Sequence, residues 1–222
     1  MADKIVIQNL QKGFGGQPVV DGIDLTIADG EFIAFVGPSG CGKSTLMKMI
    51  AGFEQPDSGH VAIDGVVRKG PNANGILISQ HGSVFPWLTV QQNLMFGLHS
   101  ADEAKKRELA DHYAALVGLK GFEKHYPHEL SGGMLKRAEI ARALVVKPEI
   151  LYMDEPFSAL DALMNLRMRT ELLRILEEER HTVILITHDV EEAVHLANRI
   201  VVLAPRPTRI QAIFEVPFPQ PR

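Results

Sequence analysis

Apolar residues along this chain gather into short runs separated by Gly-, Pro- and Asp-rich punctuation, with a long stretch of helical texture between two groups of runs. Glu31–Val36, Ile150–Asp154 and Val183–Thr187 are almost continuously apolar, which predicts short buried strands. Ile5–Leu10 reads as a first strand, Lys12–Gly16 as a turn, and Ile23–Ile27 alternates as a half-exposed strand does. Leu46–Ala51 suits a helix. Pro56-Asp57-Ser58-Gly59 then interrupts, His60–Gly65 reads as strand and turn, and Ile76–Ser79 as another short buried strand. From about Gln80 to Val146 helices are expected over Thr89–Leu98, Ala101–Leu119 and Met134–Val146. Asp102-Glu103 favours the start of the second, and Ser131 is a candidate N-cap for the third. Pro86-Trp87 breaks the chain before the first, and Trp87, the single tryptophan, is expected to anchor a core. Ser158–Asp161 leads into a helix through about Glu179, Asp189 starts another to about Ala197, and Arg199–Ala204 and Arg209–Val216 read as closing strands, with 217–222 as a loose tail.

Placed on those elements, several residues carry chemistry. Gly37-Pro38-Ser39-Gly40-Cys41-Gly42-Lys43-Ser44-Thr45 fits G-x-x-x-x-G-K-[ST] between a strand and a helix, the setting of a phosphate-binding loop. Its glycines let consecutive N–H groups converge on phosphate oxygens, and the helix directs its positive end at the same anion. Lys43 would reach the β- and γ-phosphates and the Ser44 hydroxyl would hold Mg²⁺. The motif points to a nucleoside triphosphate. Asp154 and Glu155 end a strand, where an acid can hold Mg²⁺ across from Ser44 and its neighbour can take a proton from water. Gln80 and His188 also stand at strand ends, facing a ligand or, in the blander reading, opening a loop and serving structure. Ser131-Gly132-Gly133 is either an anion nest or a glycine-softened helix start. Phe14 between glycines is either a stacking platform for a base or an aromatic folded onto its own hairpin. Cys41, beside Lys43 and near a helix N-terminus, is expected to be a reactive thiol unless burial silences it.

Composition narrows the setting more than the chemistry. A chain of 222 residues with 45% hydrophobic and 23% charged residues has an ordinary globular balance and length for a substantial core. The net charge of −4 gives no overall pull toward nucleic acid. One cysteine excludes an internal disulfide framework and fits a reducing compartment. No secretory leader is evident, and no apolar run approaches the ~18 residues that span a membrane, so any membrane role is expected to work through a partner. The nine histidines show no metal-ligand spacing.

Taken together and in this order, Phe14, the phosphate loop, Gln80, Leu-Ser-Gly-Gly at 130–133, Asp154-Glu155 with Ser158-Ala-Leu-Asp161, and His188 resemble the ATP-binding subunit of an ABC transporter. The resemblance runs over essentially the whole chain. It implies an α/β P-loop NTPase fold: a RecA-like core at 1–80 and 147–216, an antiparallel β region, and an inserted helical subdomain at about 81–146. It implies ATP and Mg²⁺ as cofactors, with Phe14 stacking on adenine, Ser44, Gln80 and Asp154 at the metal, Glu155 polarising water, and His188 and Gln80 at the γ-phosphate. It further implies that Ser131, Gly132 and Gly133 meet the nucleotide of a second copy, in a dimer closing over two ATP molecules, and that Asp161 is also nucleotide-binding. Transmembrane permease subunits and, indirectly, a solute-binding protein would be the partners, at the cytoplasmic face of the inner membrane. No nucleic acid and no regulatory domain are expected. Pro86-Trp-Leu-Thr-Val90 and His128-Glu-Leu-Ser-Gly-Gly-Met134 look like the importer branch for nitrate, sulfonates or taurine. A lipid-trafficking or export complex, or a soluble ATPase of the same family, are the alternatives. Met134 departs from the family pattern, which has Gln there, and Met cannot supply the amide's hydrogen bonds.

Overall fold

A computed structural model of the chain describes residues 2–72, 74–80, 82–99, 102–158, 160–179 and 181–218, with only the backbone for 177–179. Two compact units share the chain: Met1–Leu77 with Glu149–Glu155 and Arg180–Arg222, and Ile78–Pro148 with Pro156–Glu179.

The first unit holds two sheets. β1 (Asp3–Phe14) and β2 (Gln17–Ala28) form a long antiparallel hairpin, and β4 (Ser58–Ile63) and β5 (Val66–Val67) extend it in the order β2-β1-β4-β5. Only Gly15-Gly16 make the turn, both at positive φ (57° and 76°), which is what a two-residue hairpin with the native twist requires. The strands therefore run past the turn expected at Lys12–Gly16, with register shifts between Leu10 and Gly13 that keep Lys12 paired with Val20. The second sheet is ordered β10 (Ile210–Glu215), β9 (Arg199–Leu203), β3 (Phe32–Val36), β8 (Thr182–Thr187), β7 (Ile150–Asp154) and β6 (Gly75–Ile78). β9, β3, β8 and β7 are mutually parallel, while β10 runs antiparallel to β9. Every position of β7 and β8 is buried, as expected of apolar runs covered on both faces. α1 (Lys43–Ile50) packs against β2 as well as β7 and β8, so Leu46, Met47, Met49 and Ile50 join one core with Ile5, Ile7, Ile184 and Ile186. α6 (Val190–Leu196) packs on β3 and β8, capped by the Asp189 carboxylate.

The second unit is helical: α2 (Val90–Met95), α3 (Glu103–Leu116), a 3₁₀ turn (Pro127–Glu129), α4 (Gly132–Leu144) and α5 (Ala162–Glu179). Thr89 and Gln92 close a capping box on α2, and Asp102 and Ser131 cap α3 and α4. α2 is shorter than the expected Thr89–Leu98, and the proposed start of α3 at Ala101 lies outside the described residues, as does most of the expected loose tail. The Arg137 guanidinium binds the carbonyls of Val117 (2.8 Å) and Gly118 (2.9 Å), fastening the end of α3 to α4. Among the described residues no helix is long and apolar enough to cross a membrane.

Candidate functional site

The carboxyl ends of the parallel strands set the site. Register aligns Val36 of β3 with Thr187 of β8, and Asp154 of β7 with Ile186 of β8. With strands about 4.8 Å apart, the starts of the 37–45 loop, His188 and Glu155 share one edge only about 10 Å wide. This edge is where open parallel sheets take their ligands.

Within the loop, Pro38, Ser39 and Gly40 are exposed, and Ser44 and Thr45 are half-buried in the first turn of α1, which has no side-chain cap. Gly42 has φ 118°, a conformation that other residues avoid, and a Cβ there would lie 2.6 Å from Thr208 Oγ1 and 3.0 Å from Val19 Cγ1. The Lys43 side chain turns back so that Nζ donates to the carbonyls of Gly37 (2.8 Å) and Pro38 (2.9 Å). Lys43 is 6% exposed and has no carboxylate partner among the described residues. A buried ammonium held by neutral carbonyls alone is costly and suits a site that takes an anion. Cys41 overturns its expectation: its thiol is 2% exposed and packed in the core, and its N–H donates to Pro38 O at 3.3 Å.

Asp154 is buried and has no cationic partner among the described residues. Glu155 stands at φ 48°, a left-handed conformation costing about 1–2 kcal/mol for a residue with a Cβ. The turn lets its N–H donate to Ile186 O (2.9 Å) and brings its carboxylate to His188, where Oε1 lies 3.2 Å from Nδ1. His188 itself is exposed, and Asp189 N–H is fixed by Thr187 Oγ1 (3.0 Å), whose own hydroxyl donates to Glu192 (2.7 Å). Among the described residues no cluster of three or more His, Cys, Asp or Glu could hold a metal by itself. A cation beside Asp154 therefore needs oxygens from elsewhere, which suits Mg²⁺ bound partly through phosphates.

Phe14 belongs to this unit. It ends β1 rather than sitting in a loop, is half-exposed, and has Lys12 Nζ 5.2 Å from its ring centroid. Asp57 Oδ2 accepts from Gly13 N–H (2.8 Å) and an ion pair joins it to Lys12, which together hold its carboxyl below the ordinary value.

Gln80, Ser131, Gly132, Gly133 and Asp161 lie in the helical unit. Ser131 Oγ accepts from Met134 N–H (3.3 Å), Ser131 and Gly132 are exposed, and a Cβ on Gly132 would meet nothing within 4 Å. Asp161 Oδ1 accepts from Met164 N–H (3.0 Å), so it caps α5. Exposed Gln80 follows β6 in a segment that α4 grips from both ends. Lys136 Nζ donates to Ser79 O (2.7 Å), Glu139 accepts from Ser83 N–H, and Arg142 donates to Ser83 O. Lys136 and Glu139 are themselves a buried ion pair at 3.0 Å. Sequence reasoning missed this clasp; its signal was two opposite charges three apart on the inward side of a helix.

Trp87 corrects another expectation, being 69% exposed rather than a core anchor. Fully buried Asn93 explains why: its amide donates to the carbonyls of Phe85, Leu88 and Thr89 at 3.0–3.1 Å and accepts from Phe85 N–H at 2.8 Å. That corner displays Trp87 stacked on Phe85 (5.3 Å), with Phe96 meeting Phe85 edge-on (4.6 Å) and the Arg142 guanidinium 4.2 Å over the Phe85 ring.

Comparison with known proteins fits this layout. The ABC transporter family profile matches residues 20–158. BruAb2_1123 of Brucella abortus, provisionally named as ATP-binding, is 50% identical over all of this chain and 86% of its own length. The aliphatic sulfonates import ATP-binding protein SsuB of Bacillus licheniformis is 46% identical, covering 95% of this chain and 82% of its own. The nitrate import ATP-binding protein NrtD of Synechococcus elongatus is 41% identical, covering 94% and 78%. The dimeric structure of the ATP-binding cassette MJ0796 bound to ADP and Pi superposes with a TM-score of 0.85 at 28% identity, over 96% of this chain and 98% of that one.

Proposed function

This chain belongs to the ABC transporter family as an ATP-hydrolysing subunit, and from that premise we propose that it powers an importer of nitrate, a sulfonate, taurine or a similar small solute. The observation that carries the nucleotide reading is Lys43, a buried ammonium with no counter-ion among the described residues, beside free-facing backbone at the start of α1. Lys43 leaves the Gly37 and Pro38 carbonyls for the β- and γ-phosphates, and the loop 37–45 wraps them. Ser44 and Asp154 would hold Mg²⁺, which would supply positive charge beside the phosphates, and the family resemblance adds Gln80 as a further ligand. Phe14 offers its exposed face to adenine. Glu155 takes the proton from the attacking water while His188, already within reach of its carboxylate, holds the γ-phosphate.

Ser131, Gly132 and Gly133 close on the nucleotide of a second copy, with Asp161 beside them, in a symmetric dimer. Exposed Ser131 and the open space at Gly132 support that role. The Phe85-Trp87-Phe96 corner is the surface we assign to the permease, since an exposed aromatic cluster rimmed by Arg142 is the composition of a binding hot spot. The chain then works at the cytoplasmic face of the inner membrane, with a solute-binding protein acting on the far side of the permease.

The test is MgATP binding and turnover by wild-type protein and Lys43→Ala, with permease added for turnover. Wild type should bind, and the variant should bind at least about tenfold more weakly, the worth of one charge-assisted contact. Equal affinity, or a wild type that ignores MgATP, would refute the reading.

A further inference from the structure

Behind the phosphate loop lies a polar contact with no part in the scheme above. Thr208, in the segment joining β9 to β10, is 0% exposed. Its backbone is tied to β2 on both sides: Thr208 N–H donates to Val19 O at 2.7 Å, and Asp21 N–H donates to Thr208 O at 3.0 Å. So fixed, its hydroxyl donates to the carbonyl of Cys41, inside the loop. The same hydroxyl and Val19 form the wall against which Gly42 is pressed, where no side chain fits.

The Cys41–Gly42 peptide is planar and trans, so its C=O and N–H point in opposite directions. Holding the Cys41 oxygen inward on Thr208 therefore turns the Gly42 N–H away from the core, toward the open side of the loop. The Cys41 N–H is already spent on Pro38 O, so it does not compete for the anion. We propose that Thr208 is a positioning residue for polyphosphate binding: its hydroxyl locks the Cys41–Gly42 peptide in the one orientation that offers the Gly42 N–H to a phosphate oxygen. Without that bond, the Cys41 oxygen is a buried acceptor with no donor, and the peptide gains by rotating toward solvent. Rotation would turn the oxygen, rather than the N–H, on the incoming anion. This inference rests on the nucleotide reading of the loop.

Two substitutions separate the hydroxyl from the methyl. Thr208→Val keeps the shape and removes the donor, whereas Thr208→Ser keeps the donor and removes a buried methyl. The measurement is calorimetric affinity for MgADP, well below the melting temperature, with wild type and Lys43→Ala alongside. Thr208→Val should weaken MgADP about tenfold or more, the scale of an orphaned buried carbonyl, and raise the KM for MgATP in parallel. Thr208→Ser should bind within about threefold of wild type even though it melts lower. A merely structural threonine predicts the reverse, with affinity indifferent to the hydroxyl. Tight binding by Thr208→Val, or equal weakening by Thr208→Ser, overturns the inference while leaving wild-type binding intact. If Thr208→Val does not fold, Thr208→Ala against Thr208→Ser asks the same question, and equal affinities overturn it. A wild type that fails to bind MgADP removes the nucleotide reading and this inference with it.

Discussion

Glu155→Gln isolates chemistry from architecture, because the two side chains share shape and the backbone at φ 48° is unchanged. The amide cannot accept the water's proton, and loss of a general base costs about 10²–10⁴ in kcat, or about 2.7–5.5 kcal/mol of barrier. The structural loss is far smaller. The contact between Glu155 and exposed His188, at 3.2 Å, contributes at most about 1 kcal/mol. Turnover should therefore fall at least about a hundredfold while melting moves by only a few degrees. Nucleotide binding should persist, since Lys43 and the loop are untouched, and ATP with Mg²⁺ should hold the protein as a dimer that cannot discharge. Steady-state ATPase assays with permease present, differential scanning and light scattering read the three quantities. Turnover near wild type, or a variant that stays monomeric with MgATP, would refute the assignment of Glu155 as base.

Met134→Gln should change the KM for ATP by less than about tenfold and leave kcat near wild type, because one neutral hydrogen bond is worth about 0.5–1.5 kcal/mol. Gly133→Asp should abolish turnover by setting a carboxylate against a phosphate; tolerance of it would displace the 131–133 assignment. Maleimide labelling of Cys41 should be slow in the folded protein and fast in denaturant, since the thiol is 2% exposed; rapid labelling of native protein would contradict the packing. The Asp57 carboxyl, held below its ordinary value by Gly13 N–H and Lys12, stabilises the end of the β1–β2 hairpin above the unfolded carboxylate pKa of about 3.9. That contribution fades as pH falls through the lower folded value, so amide exchange at Gly13 should accelerate there, and Asp57→Asn should remove the dependence.

The apolar runs of β3, β7 and β8 were legible because strands covered on both faces need no partner pattern to announce them. The placing of the 37–45 loop, Asp154, Glu155 and His188 at the carboxyl ends of those strands was legible for the same reason, since each follows directly on an apolar run. The β1–β2 hairpin was read short because its outer half, Gln11 to Phe14, is polar or exposed and is held by Asp57 from a distant turn. Trp87 misled because residue type suggests burial, whereas the direction of the side chain is set by Asn93 and its bonds to Phe85, Leu88 and Thr89. Cys41 misled because neighbours in sequence favour a thiolate, while the thiol's surroundings come from strands folded over it. Both errors concern orientation, which depends on contacts made across long separations in the chain.

The clasp of α4 fastens the backbone on either side of Gln80, at Ser79 and Ser83. Ser79 and Ser83 are fastened to Lys136, Glu139 and Arg142 on a single helix, and the middle of the clasp is a dry pair of opposite charges. Such a pair resists separation, since each buried charge would lose its counter-ion. Ser79 and Ser83 are thereby tied to the same helix whose first turn is capped by Ser131. Apolar contacts at those places would fix neither distance nor direction as these charge-assisted bonds do.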